Sequence, residues 1–150
     1  LRSMEPWKEL ENAVAKLYEV QGFEVETNKL MEGKSGVVHE IDVYLRKKKK
    51  EIAIECKFKE NGVVEKSEFA LFLLKLDDLG IEEGYIVTNS RFSEPVKKLA
   101  DFYGVKLIDG DELFRLLGKY NVSCLELKYR TIPLVKTIEK TFDLLKLFFS

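Results

Sequence analysis

The chain has 150 residues, which is enough for one domain with a single hydrophobic core. Hydrophobic residues make up 45% of it, with only 3 Pro and 9 Gly, and this composition excludes a largely disordered chain. The 25 basic and 26 acidic side chains leave a net charge of -1, which argues against a protein that coats nucleic acid through a general excess of positive charge.

The elements predicted along the chain are a helix over 6–21, strands over 23–27, 37–45 and 51–58, a helix over 64–79, a strand over 84–89, a helix over 93–103, a strand over 105–109 and a helix over 111–117. The first helix is predicted from the helical spacing of Trp7, Leu10 and Val14, and Gly22 marks its end. Strands that alternate with helices in this way predict an α/β fold, with a mixed central sheet flanked by helices on both faces.

Two segments raise the question of an interface between chains. The 64–79 helix carries large apolar side chains around much of its circumference, so it is either buried on all sides or part of a contact. Residues 121–150 are predicted to add a strand and an amphipathic helix to the same domain, and Phe142 and Leu145 on that helix raise the same question. We therefore expect a homodimer.

The two cysteines and the N-terminal segment bear on the cellular compartment of the protein. Cys56 and Cys124 have neither the spacing of metal ligands nor that of a disulfide framework, and Cys56 is predicted to be a small core residue. No signal peptide and no apolar run of about 18 residues appears, so we expect a cytoplasmic protein that does not enter a membrane. Residues 1–3, which precede Met4, are expected to be a vector-derived addition.

Charged residues interrupt the two neighbouring strands 37–45 and 51–58. Asp42 lies in the first strand, and Glu55 and Lys57 lie in the second. Unpaired charge is costly at buried positions, so these side chains call for an explanation.

The alternation of side chains along a strand assigns them to faces. Ile41, Val43 and Leu45 are predicted on one face of the first strand, and Asp42 on the other. By the same rule, Glu55 and Lys57 lie opposite the apolar residues of the second strand. If the two apolar faces join one core, the two carboxylates and the lysine converge on the opposite side of the sheet.

Such a cluster has the parts for hydrolysing a phosphodiester. Two nearby carboxylates repel each other unless a cation lies between them, and oxygen ligands suit Mg²⁺ or Mn²⁺. A neighbouring lysine can position the attacking water and offset developing negative charge. Glu11, at the edge of the apolar stripe of the first helix, is a candidate for a further ligand or water anchor. Glu40 shares the predicted face of Asp42 and is a secondary candidate.

Other readings of these residues stay open. The pattern Glu-x-Lys occurs three times in the chain, so alone it says little, and Asp42 together with the strand alternation is what favours Glu55 and Lys57. The basic segment Arg46–Lys50 is predicted to be a solvated turn rather than a phosphate clamp. His39 is predicted to be packed rather than a ligand.

Several segments, in the right order, resemble the Mrr-type catalytic domain of the PD-(D/E)XK restriction-endonuclease-like superfamily. They are LENAVAKLYEVQGFEV with its acidic Glu11, HEIDVYL with Asp42, IAIECKF with Glu55 and Lys57, and GYIVTNSRFSEPVKKLADFYGVKLIDGDEL. The last segment is more specific than the catalytic triplet. Archaeal Holliday-junction resolvases are similar in the plan of their site.

The resemblance implies an α-β-β-β-α-β core over residues 4–120, Mg²⁺ dependence with Mn²⁺ as a substitute, cleavage of DNA and no small-molecule cofactor. The resemblance implies that Asp42 and Glu55 bind the metal and that the Cys56 backbone carbonyl completes its coordination shell. It also implies that Lys57 positions the attacking water and that Glu11 supports the metal or a water. Further candidates, for contacts with nucleic acid, are Lys34, Ser35 and Lys59. Two alternatives remain: a nuclease selective for branched DNA, and a nucleic-acid-binding module with this fold but no turnover.

Overall fold

The computed structural model describes residues 5–123. The predictions for residues 1–3, for Cys124 and for the strand and helix of the C-terminal tail lie outside that range. No helix among the described residues is long and apolar enough to cross a bilayer.

Nine elements follow one another along these residues. They are α1 (Pro6–Glu19), β1 (Glu24–Glu32), β2 (Val38–Lys47), β3 (Lys50–Lys57), α2 (Lys66–Leu79), β4 (Glu83–Thr88), α3 (Glu94–Tyr103), β5 (Lys106–Ile108) and α4 (Gly110–Lys119). Every predicted element in this range is present. β1 runs five residues beyond the predicted strand, because pairing with β2 carries it through the polar segment that follows.

The five strands form one sheet in the order β1-β2-β3-β4-β5. The pairs β1–β2 and β2–β3 are antiparallel, whereas β3–β4 and β4–β5 are parallel. Parallel neighbours require a crossover connection, which α2 and α3 provide. The sheet is therefore mixed, and the predicted fold class is confirmed.

The sheet separates two hydrophobic clusters. The first cluster packs α1 and α4 against one face, through Leu10, Val14, Leu17, Val43, Leu45, Ile52, Ile54, Leu113 and Leu117. The second cluster packs α2 and α3 against the other face, through Ile41, Tyr44, Ala53, Phe69, Phe72, Leu76, Ile86, Val96 and Ala100. Both faces of β2 and β3 are thus covered, and their ends, rather than a bare face, are left to carry polar groups.

The prediction that Ile41, Val43 and Leu45 share one face is wrong for Ile41. Val43 and Leu45 belong to the first cluster, whereas Ile41 belongs to the second, beside α2. Simple alternation would have placed all three on one side. The change of face occurs at Asp42, between Ile41 and Val43.

The partner strand changes face at the same level. The register pairs Thr27 with Val43 and Lys29 with Ile41, so Asn28 lies across from Asp42. Asn28 adopts the left-handed backbone conformation, with φ of 52°, which is uncommon outside glycine but tolerated by asparagine. The left-handed conformation of Asn28 interrupts the regular alternation of side chains in β1 at the level where β2 changes face around Asp42.

Three exposed apolar side chains bear on the predictions for the first helix and for the 64–79 helix, which was expected to be either buried on all sides or part of a contact. Trp7 was placed on the apolar stripe of the first helix, but it is 52% exposed. The α2 helix is not buried on all sides, because Leu71 is 66% exposed and Leu74 is 60% exposed. Its buried side is formed by Phe69, Phe72 and Leu76, which gives α2 one face on the sheet and one face on solvent.

Candidate active site

Asp42 joins β2 to β3 where the regular pairing of these strands ends. The last backbone pair is Val43 with Ile54. Beyond it, the backbone N–H of Cys56 donates to Oδ2 of Asp42 over 2.8 Å. The carboxylate thus takes the place of a main-chain acceptor, and one of its two oxygens is committed to β3.

Glu55 brings a second carboxylate to the same place. It is 8% exposed and follows Ile54, the last residue of β3 that pairs with β2, while it remains paired with β4. Burial, and then the negative charge of Glu55, raise the pKa of Asp42 to about 7, against the lowering effect of the Cys56 hydrogen bond. The two predicted metal-binding acids are therefore close neighbours that resist being ionised together.

Lys75 of α2 approaches Glu55 from the other side. Its Nζ lies 3.4 Å from Oε1 and 3.5 Å from Oε2 of Glu55, and it donates to the carbonyl of Glu40 over 2.7 Å. The sequence analysis did not identify this lysine. A signal was present, because Lys75 is the one charged residue within the otherwise apolar run Phe69–Leu76, and a cation in such a helix needs a partner.

Glu11 reaches the site from α1. It is 5% exposed, and its charge contributes to the raised pKa values of Asp42 and Cys56. The Asn28 amide donates to Glu11 at 3.2 Å, and the Lys8 ammonium lies 3.4 Å from the same oxygen. Lys8 also donates to Oδ1 of the Asn28 side-chain amide over 2.6 Å. Neither Asn28 nor Lys8 was predicted as a site residue. Asn28 meets Glu11 only when β1 folds against α1, whereas the position of Lys8 three residues before Glu11 on the predicted first helix was a usable signal.

Lys57 ends β3 beside β4. It is half-buried and its backbone pairs with Thr88, but its ammonium makes no hydrogen bond or ion pair with another residue among 5–123. The charge of that ammonium helps to lower the pKa of Glu68. The segment that follows it is held by Asn89, whose amide accepts from the Lys59 N–H over 2.8 Å and donates to the Lys59 carbonyl over 2.7 Å. Asn89 was not predicted as a site residue either.

The Cys56 side chain points away from this polar group. It packs against the first cluster, in agreement with its predicted role as a small core residue. Burial, followed by the charges of Asp42 and Glu11, raises the pKa of its thiol well above the ordinary value. Cys56 thus contributes backbone groups rather than a thiolate.

The remaining candidates lie apart from the acids. The carboxylate of Glu40 is exposed, and only its carbonyl takes part, through Lys75. Lys34 is exposed, and the ammonium of Lys59 is paired with Glu68 at 2.8 Å. Ser35 donates to Asp78 over 2.7 Å.

His39 and the basic turn are placed as predicted. His39 is partly buried and lies 2.7 Å from the Asp78 carboxylate, so it is packed against α2. All five residues of Arg46–Lys50 are exposed, with the turn itself at Lys48 and Lys49.

Oxygen donors of the kind that Mg²⁺ prefers are present where the pairing of β2 with β3 ends. Among residues 5–123, no three His, Cys, Asp or Glu side chains are arranged to hold a metal ion by themselves. Asp42 and Glu55 are adjacent buried carboxylates, and a cation would relieve the repulsion that raises the pKa of Asp42. The donor set therefore fits a hard divalent ion that keeps several of its waters.

Relatives of known structure share the fold. A protein of unknown function, AF1548, is 29% identical with a TM-score of 0.68, over 76% of this chain and 67% of that chain. The restriction endonuclease MspJI, solved in complex with a 27-mer oligonucleotide, is 19% identical with a TM-score of 0.50, over 81% of this chain and 29% of its own. At that identity the likeness shows the fold alone.

Sequence comparisons identify the family. An uncharacterized protein of Archaeoglobus fulgidus is 36% identical over 98 residues, which are 63% of this chain and 56% of the relative. The match thus spans little more than half the length of that protein. The family model Mrr_cat, described as a restriction endonuclease, matches residues 1–117. With most of its length matched by that model, the chain belongs to the Mrr_cat restriction endonuclease family.

Proposed function

We propose that the protein is a Mg²⁺-dependent endonuclease that hydrolyses DNA phosphodiester bonds. The observation that carries the proposal is the pair of adjacent carboxylates, Asp42 and Glu55, where the pairing of β2 with β3 ends, in a chain of this family. Two buried carboxylates repel each other when both are ionised, and a divalent cation between them would offset that repulsion.

In this proposal Asp42, Glu55 and the Cys56 carbonyl hold the ion. When bound, Mg²⁺ supplies Lewis-acid polarisation of a phosphate oxygen and lowers the pKa of a coordinated water. Mn²⁺, which also prefers oxygen ligands, is expected to substitute. Glu11 acts less directly, because Asn28 and Lys8 already hold its carboxylate.

Lys57 orients the attacking water. Its ammonium is not engaged by another residue among 5–123, so it is available to hold a water oxygen and to offset negative charge on phosphorus. The water oxygen forms a bond to phosphorus while one P–O ester bond breaks. The proton of the water passes to solvent, and the leaving oxygen acquires a proton.

DNA is proposed as the substrate from the family description and from the oligonucleotide complex of MspJI. Lys34, which is exposed on the turn between β1 and β2, is a candidate for a phosphate contact. Ser35 and Lys59 are weaker candidates, because Asp78 and Glu68 already bind their side chains.

The decisive experiment compares Lys57→Ala with Lys97→Ala, a control on the exposed side of α3. We expect the wild type and the control to nick plasmid DNA with Mg²⁺ or Mn²⁺, and Lys57→Ala to lose about 100-fold or more of the rate. Circular dichroism and melting should be the same for all three. Full activity of Lys57→Ala, or of the wild type in EDTA, would contradict the mechanism.

A substrate panel separates the alternatives in the same assay. DNA that is bound but uncut with every divalent ion would favour a binding module without turnover. Four-way junctions cut much faster than linear duplex would favour a nuclease selective for branched DNA. Equal rates on both would remove that alternative.

We also propose that the protein acts as a homodimer. The solvent side of α2 presents Leu71 and Leu74 one turn apart, and both are more than half exposed. Exposed leucines at this spacing form an apolar strip of the kind that association buries.

A further inference from the structure

Lys75 is the one cation that forms an ion pair with Glu55, among the described residues. Its Nζ lies at nearly equal distances, 3.4 Å and 3.5 Å, from the two oxygens of Glu55. The side chain of Lys75 is 19% exposed and that of Glu55 is 10% exposed. A pair this sheltered from water interacts more strongly than an ordinary surface ion pair.

Contacts with β2 and with the core side of α2 hold the Lys75 side chain in place. Toward β2, it donates to the Glu40 carbonyl over 2.7 Å. Within α2, Phe72 and Leu76 lie one turn or less from Lys75. Both belong to the second cluster and are 1% and 6% exposed. Lys75 cannot swing away without giving up a hydrogen bond, and α2 cannot move without exposing its core face.

These contacts determine which oxygens remain available for an ion. Oδ2 of Asp42 accepts the Cys56 N–H, which uses part of the acceptor capacity of that oxygen, whereas Oδ1 does not take part in this bond. Both oxygens of Glu55 face the Lys75 ammonium, which uses part of their acceptor capacity and closes the α2 side of the carboxylate. A divalent ion shared by the two acids would therefore bind Glu55 on its side toward Asp42.

We propose that Lys75 is a built-in counter-cation for Glu55, which competes with the metal for that carboxylate and limits the site to a single divalent ion. The inference rests on the proposed function for the identity of the ion. Lys75 is a positioning residue in this proposal, because it acts on the reaction only through Glu55.

The test measures Mn²⁺ binding by calorimetry and by electron paramagnetic resonance. Wild type, Lys75→Arg and the same-helix control Lys66→Met should each bind one Mn²⁺ per chain with similar affinity. Lys75→Met removes a positive charge beside the carboxylate, so it should bind Mn²⁺ at least about tenfold more tightly or take up a second ion. A merely structural role would weaken binding instead.

A metal-free measurement tests the counter-ion role separately. In EDTA, Lys75→Met should lower the melting temperature by about 4 °C or more, because Glu55 is left buried without a partner. Adding Glu55→Gln to that variant should recover most of the loss. If Lys75→Met does not fold, Lys75→Gln replaces it, since its amide can still donate to the Glu40 carbonyl.

The outcomes distinguish this inference from the proposed function. Unchanged or weaker Mn²⁺ binding by Lys75→Met, two ions in the wild type, or no ion at all would overturn the role of Lys75. Mn²⁺ binding as expected, together with failure of the wild type to cut any DNA, would overturn the nuclease proposal and leave the role of Lys75 standing.

Discussion

At the scale of single residues, the surroundings of Asp42 change the charge state of its carboxyl group. Its carboxylate is partly buried, accepts one backbone hydrogen bond and lies beside Glu55. Burial and repulsion outweigh the hydrogen bond, so its pKa rises to about 7 from an ordinary value of 3.8. The metal-free site therefore holds a proton near neutral pH that a bound cation would displace.

This shift predicts how stability depends on pH. A carboxyl group whose pKa is raised by folding stabilises the protein below its unfolded pKa, and that contribution is lost as pH rises through the folded pKa. In EDTA, the free energy of unfolding of the wild type should fall relative to Asp42→Asn between about pH 4 and pH 7, by at most about 4 kcal/mol.

Urea unfolding of both proteins across that range checks the prediction. Asparagine keeps an oxygen that can accept the Cys56 N–H, so the comparison isolates ionisation. Parallel curves for the two proteins would show that Asp42 does not carry the pH dependence.

At the scale of elements, Asp78 at the end of α2 holds the turn between β1 and β2. Its carboxylate accepts from the Ser35 N–H at 2.9 Å and from the Ser35 hydroxyl at 2.7 Å, and it lies 2.7 Å from His39. The Lys34 N–H donates to its carbonyl over 2.8 Å. A side chain at Gly33 would have its Cβ 2.0 Å from Oδ2 of this carboxylate, so any larger residue there would displace the Asp78 side chain.

Removal of that carboxylate should loosen the turn selectively. In Asp78→Ala, we expect the Ser35 amide to exchange its hydrogen faster, because its acceptor is lost. The Lys34 amide should stay protected, since its acceptor is the main-chain carbonyl of residue 78. Hydrogen exchange followed by NMR measures both amides in one sample.

The same contact should respond to acid. Ser35 and His39 lower the pKa of Asp78 to about 2, so its contribution to stability is present above pH 4 and is lost as pH falls toward 2. Equal exchange of the Ser35 amide in wild type and Asp78→Ala would contradict the role given to this side chain.

At the scale of the whole molecule, α2 connects the site to the solvent face of the protein. One side packs Phe69 and Phe72 into the second cluster, while Leu71 and Leu74 face outward. Lys75 lies between these two sides and reaches the acids. Association through the outer side of α2 would place a second copy on the helix that carries Lys75.

From the proposed dimer we expect acidic substitutions on the outer side of α2 to lower the mass of the protein in solution. Leu71→Glu combined with Leu74→Glu should convert a dimer into a monomer, because two carboxylates would have to be buried in the contact. Leu30→Glu, at another leucine that is 69% exposed, is the control and should not change the mass. Light scattering at high protein concentration measures the mass of each protein. A monomeric wild type would refute the dimer.

The elements, the fold class and the family were accessible from the sequence alone. Helical and strand periodicities are local, so they survive in the order of residues whatever the chain packs against. The charges at Asp42, Glu55 and Lys57 stood out for the same reason, because each interrupts an apolar strand within a few residues.

Tertiary structure alone decided how those charges are balanced. The face of Ile41 depends on a distortion shared between β1 and β2, which alternation within one strand does not contain. The contacts of Lys75 with Glu55 and of Asn28 with Glu11 join residues 20 and 17 positions apart, on elements that meet only when the sheet is covered on both faces. Coulomb interactions depend on distance in space rather than along the chain, so the electrostatics of this site emerge only with the fold.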